Sequence, residues 1–166
     1  MAGLINELMD NLSEQADRYE ELLGLSQEKR DVIIVNNVEQ LQKLNHLENI
    51  LISQTQKLEK KRISITEDMA IVLNQKSDEL TVTRIIELIE GQAEQPSLIA
   101  IRDRVKKILD ELHQINQQNG ILIQNALDYV EYSTNVMRSQ MGGPPSNYPG
   151  ADDYYYDQPG VFDSRN

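Results

Sequence analysis

Apolar side chains recur at alternating intervals of three and four across residues 97–140: Leu98, Ile101, Val105, Ile108, Leu112 and Ile115, then Leu122, Ala126, Tyr129 and Val136. Only an α-helix gathers such a series on one side. Asn119 and Ser133 fall in the same row, so the stripe is strictly apolar through Ile115 and mixed after it. A helix of this length runs on the order of 60 Å at about 1.5 Å per residue. It cannot bury such a stripe alone and needs partner helices from this chain, another copy or a client.

The same spacing organises the rest of the chain. Residues 3–35 read as a first helix, with Ile5, Leu8, Leu12, Tyr19, Leu22 and Ile33 on one row, and Gly24 marks a place where it could bend. Asn37 with Gln40 three positions later has the residues of a capping box, so a second helix starts there and carries Leu41, Leu44, Leu51, Leu58, Ile65, Met69 and Val72 to about Asn74. Glu48, Thr55 and Arg62 share that row. The simplest reading sets the two charged residues at the stripe's edge with stems packed and heads in water; the other gives them a role in orienting neighbours. Residues 75–81 form a polar break, followed by a short amphipathic piece with Val82, Ile85, Ile86 and Ile89. Gly91 suits its end and Pro96-Ser97 the start of the long helix. This connection lets the last helix fold back on the first two.

The expected architecture is therefore all-α: an elongated antiparallel helical bundle of three long helices plus one short helix, occupying residues 1–140. Composition agrees, since aromatics are 5% of the 166 residues, with no Trp and a single Phe, and aliphatic layers must supply the packing. After residue 140 the character changes. Four of the five prolines and four of the eight glycines lie there, with Asp152, Asp153, Asp157 and Asp163. Ordering about 25 such residues costs roughly 1–2 kcal/mol each, against about 1.5–3 kcal/mol for each buried aromatic. Residues 141–166 are expected to be a disordered acidic, Pro/Gly/Tyr-rich tail. It nevertheless holds Tyr148, Tyr154, Tyr155, Tyr156 and Phe162, and aromatics anchor interfaces at low entropic cost. A docking segment that folds on a partner and a solubilising tail both account for it.

Charge narrows the partners. A net charge of −11 opposes binding to nucleic acid or to an anionic membrane surface, both of which need clustered Lys and Arg. No apolar run approaches the roughly 20 residues of a membrane span, and the first residues lack the basic and apolar regions of a secretion signal, so a cytoplasmic protein without stable membrane insertion is expected. Cysteine is absent, which removes disulfides and thiolate chemistry. Asp110 and His113 lie three apart on a helix, but a di-iron bundle needs two such carboxylate–histidine pairs plus two more carboxylates, and His46 has no Glu three positions before it. With no phosphate-binding loop and no serine near a base, no catalytic residue, metal site or cofactor is expected.

Three local patterns resemble the flagellar export chaperones of the FlgN-like family. They are Tyr19-Glu20-Glu21-Leu22-Leu23 with Ser26-Gln27-Glu28-Lys29; the spaced Leu41, Leu44, Glu48 and Leu51 closing on Leu58-Glu59-Lys60-Lys61-Arg62; and Asn116-Gln117-Gln118-Asn119 before Leu122 and Ala126-Leu127-Asp128-Tyr129. The end, Phe162-Asp163-Ser164-Arg165, is similar to that of Gram-positive members, whereas Tyr154-Tyr155-Tyr156 matches no family pattern. The resemblance implies a non-catalytic chaperone that escorts hook-filament junction (hook-associated) proteins to the type III export apparatus, receiving the client's terminal helices on its own last helix.

The residues give that expectation a physical form. A stripe that turns polar at Asn119 and Ser133 suits a surface that must also survive uncovered. The expected client groove is Leu122, Ile123, Ala126, Leu127, Tyr129, Val130 and Tyr132, with Asn116 and Asn119 as polar register markers and Gly120 and Ala126 leaving room for an approaching helix. Ordinary packing within the bundle is the bland alternative. Family analogy makes Tyr129 and Tyr132 candidates for contact with the flagellar export gate. The competing class is a homodimeric coiled-coil tether or scaffold using the same stripe; it predicts a tight, concentration-independent homodimer, whereas a chaperone gives a soluble 1:1 complex with its client and at most a weak homodimer.

Overall fold

The computed structural model describes residues 1–140, so the expected disordered tail and its docking residues Tyr154, Tyr155, Tyr156 and Phe162 lie outside the described residues. Those described form four α-helices and a single 3-10 turn: α1 (Ala2–Ile34), α2 (Val38–Leu73), the turn at Ser77–Glu79, α3 (Val82–Leu88) and α4 (Gln95–Gln140). The all-α architecture follows the sequence spacing closely. The chain divides into two units, Met1–Asn119 and Gly120–Asn166, and α4 contributes to both.

Helix ends are set by local chemistry. At the end of α1, Asn36 adopts a left-handed φ of 55°, the Asn36 amide donates to Ile33 O at 3.1 Å and the Asn37 amide to Val32 O at 3.2 Å. That pair of bonds satisfies two terminal carbonyls, and asparagine tolerates the left-handed region better than most residues. Asn37 then caps α2, its Oδ1 accepting from the Gln40 amide at 3.1 Å. Asn74, at φ 53°, closes α2 in the same way, with the Gln75 amide on Ala70 O at 2.9 Å. Thr81 caps α3 through Arg84 N at 3.1 Å. Gly91 supplies the positive φ of 81° needed to turn into α4, and the Gln95 side chain braces that turn by accepting from Gly91 N and donating to Ile86 O. Gly24 does not interrupt α1, which is a single helix through that point; buried Leu22 and Ser26 on either side hold it in register.

Within Met1–Asn119 the cross-helix bonds give the helix directions. Glu7 pairs with Lys61, Asn11 with the Leu58 carbonyl and Lys29 with Glu48, so α2 runs antiparallel to α1. Arg104 meets Asp17 and Glu20, and Asn116 and Asn119 meet Ser26, so α4 runs parallel to α1. The long helices therefore go up, down and up, and α3 with its flanking turns carries the chain from the end of α2 to the start of α4. One apolar cluster joins Ile5, Leu8 and Leu12 of α1 to Ile65 and Met69 of α2, closed over by Ile85 and Ile89 and by Leu98 of α4. A second joins Ala16, Tyr19 and Leu22 to Ile108, Leu112 and Ile115.

Polar residues at the stripe's edges are paired across and along the helices. Asn11 Nδ2 donates to Leu58 O at 3.1 Å, Gln15 Nε2 donates to Asn11 Oδ1 at 3.2 Å and to Glu59 at 3.4 Å, and Arg62 grips Glu59 through two bonds of 2.9 and 2.6 Å. Glu48 lies 2.7 Å from Lys29 with both side chains largely covered. The charged residues of the α2 row thus pair with neighbours instead of simply holding their heads in water. Such groups can be covered because each has found a hydrogen-bonding partner.

Candidate interaction surface on the last helix

The site is best built from the point where burial along α4 stops. Leu98, Ile108, Leu112, Ile115 and Asn119 are buried, and no residue of 120–140 is. The first half of the stripe is spent on this molecule's own core. Asn119, 4% exposed, marks the last covered turn, its Nδ2 donating to Ser26 O at 2.8 Å, while Ser26 Oγ donates to Asn116 Oδ1 at 3.2 Å. Both asparagines predicted as register markers are therefore engaged within the bundle, where they align α4 on α1. Ser26 is the member of this group that the sequence reading missed, because nothing in the sequence links positions ninety residues apart. Asn119 Oδ1 is buried without a donor among the described residues.

Beyond Asn119 the helix presents apolar side chains to solvent. Tyr129 is 70% exposed, Tyr132 68% and Val130 58%, and Leu127, Ile121 and Met137 are likewise exposed. Leu122, Ile123 and Ala126 are half-covered. By helical spacing, Leu122, Ala126, Tyr129, Ser133 and Val136 form one row and Ile123, Ala126, Val130 and Met137 the next, merging into one broad face. The opposite side carries Gln124, Asp128, Glu131, Asn135 and Arg138, and Gln124 donates to Asp128 at 2.8 Å. The structure thus brings seven of the predicted groove residues, 122 to 132, onto one uninterrupted helix. Met137 belongs with them in the second row and was missed, its signal being apolar character one turn beyond Ser133; Ile121 is also exposed but by helical spacing lies beside Asp128, off this face.

A monomer rarely leaves so many large apolar side chains together without a use for them. The arrangement has no groups poised for proton transfer or nucleophilic attack; its chemistry is that of apolar contact. Shifted ionisation occurs elsewhere, in the bundle. The hydrogen bonds from Arg62 hold the Glu59 carboxyl below its ordinary value against the opposing effect of burial, while burial and the nearby Glu59 charge raise the Tyr19 phenol. Both are structural. Among the described residues no helix is long and apolar enough to cross a membrane, and no three His, Asp or Glu side chains gather into a candidate metal site.

A family model described as FlgN protein matches residues 1–153. No curated protein and no solved structure gives a significant match.

Proposed function

Since this chain belongs to the FlgN family of flagellar type III export chaperones, which is not an enzyme family, we propose that its clients are the hook-filament junction proteins and that α4 beyond Asn119 receives their terminal helices. The supporting observation is the exposed apolar face of residues 120–140, with Tyr129, Val130 and Tyr132 more than half exposed. An amphipathic client helix laid along Leu122, Ile123, Ala126, Leu127, Tyr129, Val130 and Tyr132 would cover it, as in helix-in-groove recognition. Cover of this kind keeps an aggregation-prone terminus in solution until delivery to the export gate, work that belongs in the cytoplasm. The net charge of −11 keeps the escort itself soluble.

The tether reading is the weaker one, because the strictly apolar part of the stripe, Ile108 to Ile115, already packs against α1 and is not free to zip with a second copy. The two readings part on one experiment. Ala126→Glu with Val130→Glu places two charges on the face without touching the core, so the variant keeps its helical signal and melting temperature and loses client binding in a pull-down. Normal client binding by the folded double variant would move the client surface elsewhere. For the gate, Tyr132 is the test because by helical spacing it lies at the margin of the face, towards Asp128: Tyr132→Ala is expected to lose export-gate binding while client binding weakens far less, and equal loss of both would refute that division.

A further inference from the structure

The exposed face of α4 is followed at once by a segment suited to cover it. Gln140 leads into Met141-Gly142-Gly143-Pro144-Pro145, a run that disfavours any continuation of the helix, because glycine is a poor helix former and proline lacks the amide donor. Further on, Tyr154, Tyr155, Tyr156 and Phe162 place four aromatic side chains within nine positions. The match to the family stops at residue 153, so this cluster lies beyond the part that the family model describes.

We propose that residues 154–162 settle on the exposed apolar face of α4, between Leu122 and Met137, in the free protein. They act there as an intramolecular stand-in for the client, a role that rests on the reading of this face as the client surface.

The reach is sufficient. The 13 residues 141–153 extend to roughly 40 Å, whereas the stretch of α4 from Ile121 to Met137 is about 24 Å long at about 1.5 Å per residue. The contacts are chemically matched, since tyrosine and phenylalanine rings pack well on the rings of Tyr129 and Tyr132 and on the thioether of Met137. Charge directs the choice of side. Asp128 and Glu131 on the polar side of α4 repel the tail's Asp152, Asp153 and Asp157, and the one cation of residues 120–140, Arg138, lies at the end nearest the tail. Docking does not require the whole tail to order, only the aromatic stretch. A tether of this length presents that stretch at an effective concentration on the order of millimolar, ahead of any second copy at ordinary protein concentrations.

The chain has no cysteine, so Ser164→Cys provides a single thiol for a nitroxide label on the full-length protein. In amide NMR spectra, the label is expected to broaden residues 121–137 selectively over the core residues of α1 and α2. Replacing Tyr154, Tyr155, Tyr156 and Phe162 together with Ser should abolish that broadening. Absence of selective broadening, or its survival in the four-residue variant, overturns the proposal. So does equal broadening when labelled and isotope-enriched chains are different molecules, which would assign the face to a second copy. A synthetic peptide of a hook-filament junction protein's terminal helix serves as the client probe. If the tail occupies the face nine-tenths of the time, the four-residue variant binds this peptide about tenfold more tightly. Unchanged peptide affinity with intact broadening would instead overturn the stand-in role and the client reading together while leaving tail docking in place, so the two failures are distinguishable.

Discussion

Single residues in this protein divide between those that hold the bundle and those that face outward, and Glu59 shows how a charge can serve the first purpose. Its carboxyl is held below the ordinary value of 4.5 mainly by the hydrogen bonds from Arg62. A depressed folded-state value means that the stabilisation is present above the unfolded value and is lost as pH falls through the folded one. Urea unfolding should therefore give a midpoint that drops more steeply below pH 4.5 for the native chain than for Glu59→Gln, and parallel pH profiles would remove Glu59 from the account. Asn119 is a second case. Asn119→Ala removes the second hydrogen bond on the Ser26 carbonyl, which as an acceptor inside α1 keeps its bond from the amide four residues on. Because the change also removes the unpartnered Oδ1, a loss of about 0.5–1.5 kcal/mol is expected in equilibrium unfolding. The pairing of Lys29 with Glu48 and of Ser26 with the two asparagines was not legible in sequence, since spacing along one helix says nothing about which residue of another helix lies opposite.

Among the elements, α4 carries the most information. Its start, and the limits of α1 and α2, were readable from three-four spacing, from the Asn37–Gln40 capping pair and from the Gly91 and Pro96-Ser97 signals, because those signals are local. Gly120, exposed in the middle of α4, was expected to leave room for an approaching helix. In the free protein an added Cβ there would meet nothing within 4 Å. Gly120→Ala should accordingly stabilise the helix by about 1 kcal/mol, the difference in propensity between the two residues, seen as higher amide protection from exchange across residues 116–126. Protection unchanged or reduced would mean that the glycine meets a constraint beyond propensity.

For the molecule as a whole, the buried core and the open apolar face are separately located. Leu112, 2% exposed, sits in the core shared by α1 and α4. Leu112→Ala should cost about 2–5 kcal/mol, whereas Val130→Ser on the open face should shift stability by no more than about 0.5 kcal/mol while weakening client capture. Thermal melts paired with titration of the client peptide check both halves, and a large stability loss at Val130 would place that residue in the core instead.

Amphipathic spacing and the Asn37 cap determined the four helices of the described residues, the limits of α1 and α2 and the all-α class from sequence alone, because each is an interaction between near neighbours in the chain. Which part of the long stripe would be consumed and which left open was decided only by tertiary packing. Leu98 through Ile115 and Leu122 through Val136 follow the same rule of spacing, and the first set is covered only because α1 and its neighbours supply matching apolar side chains there. The distinction between a core and a docking face lies in what stands opposite a residue, and that is a property of the fold.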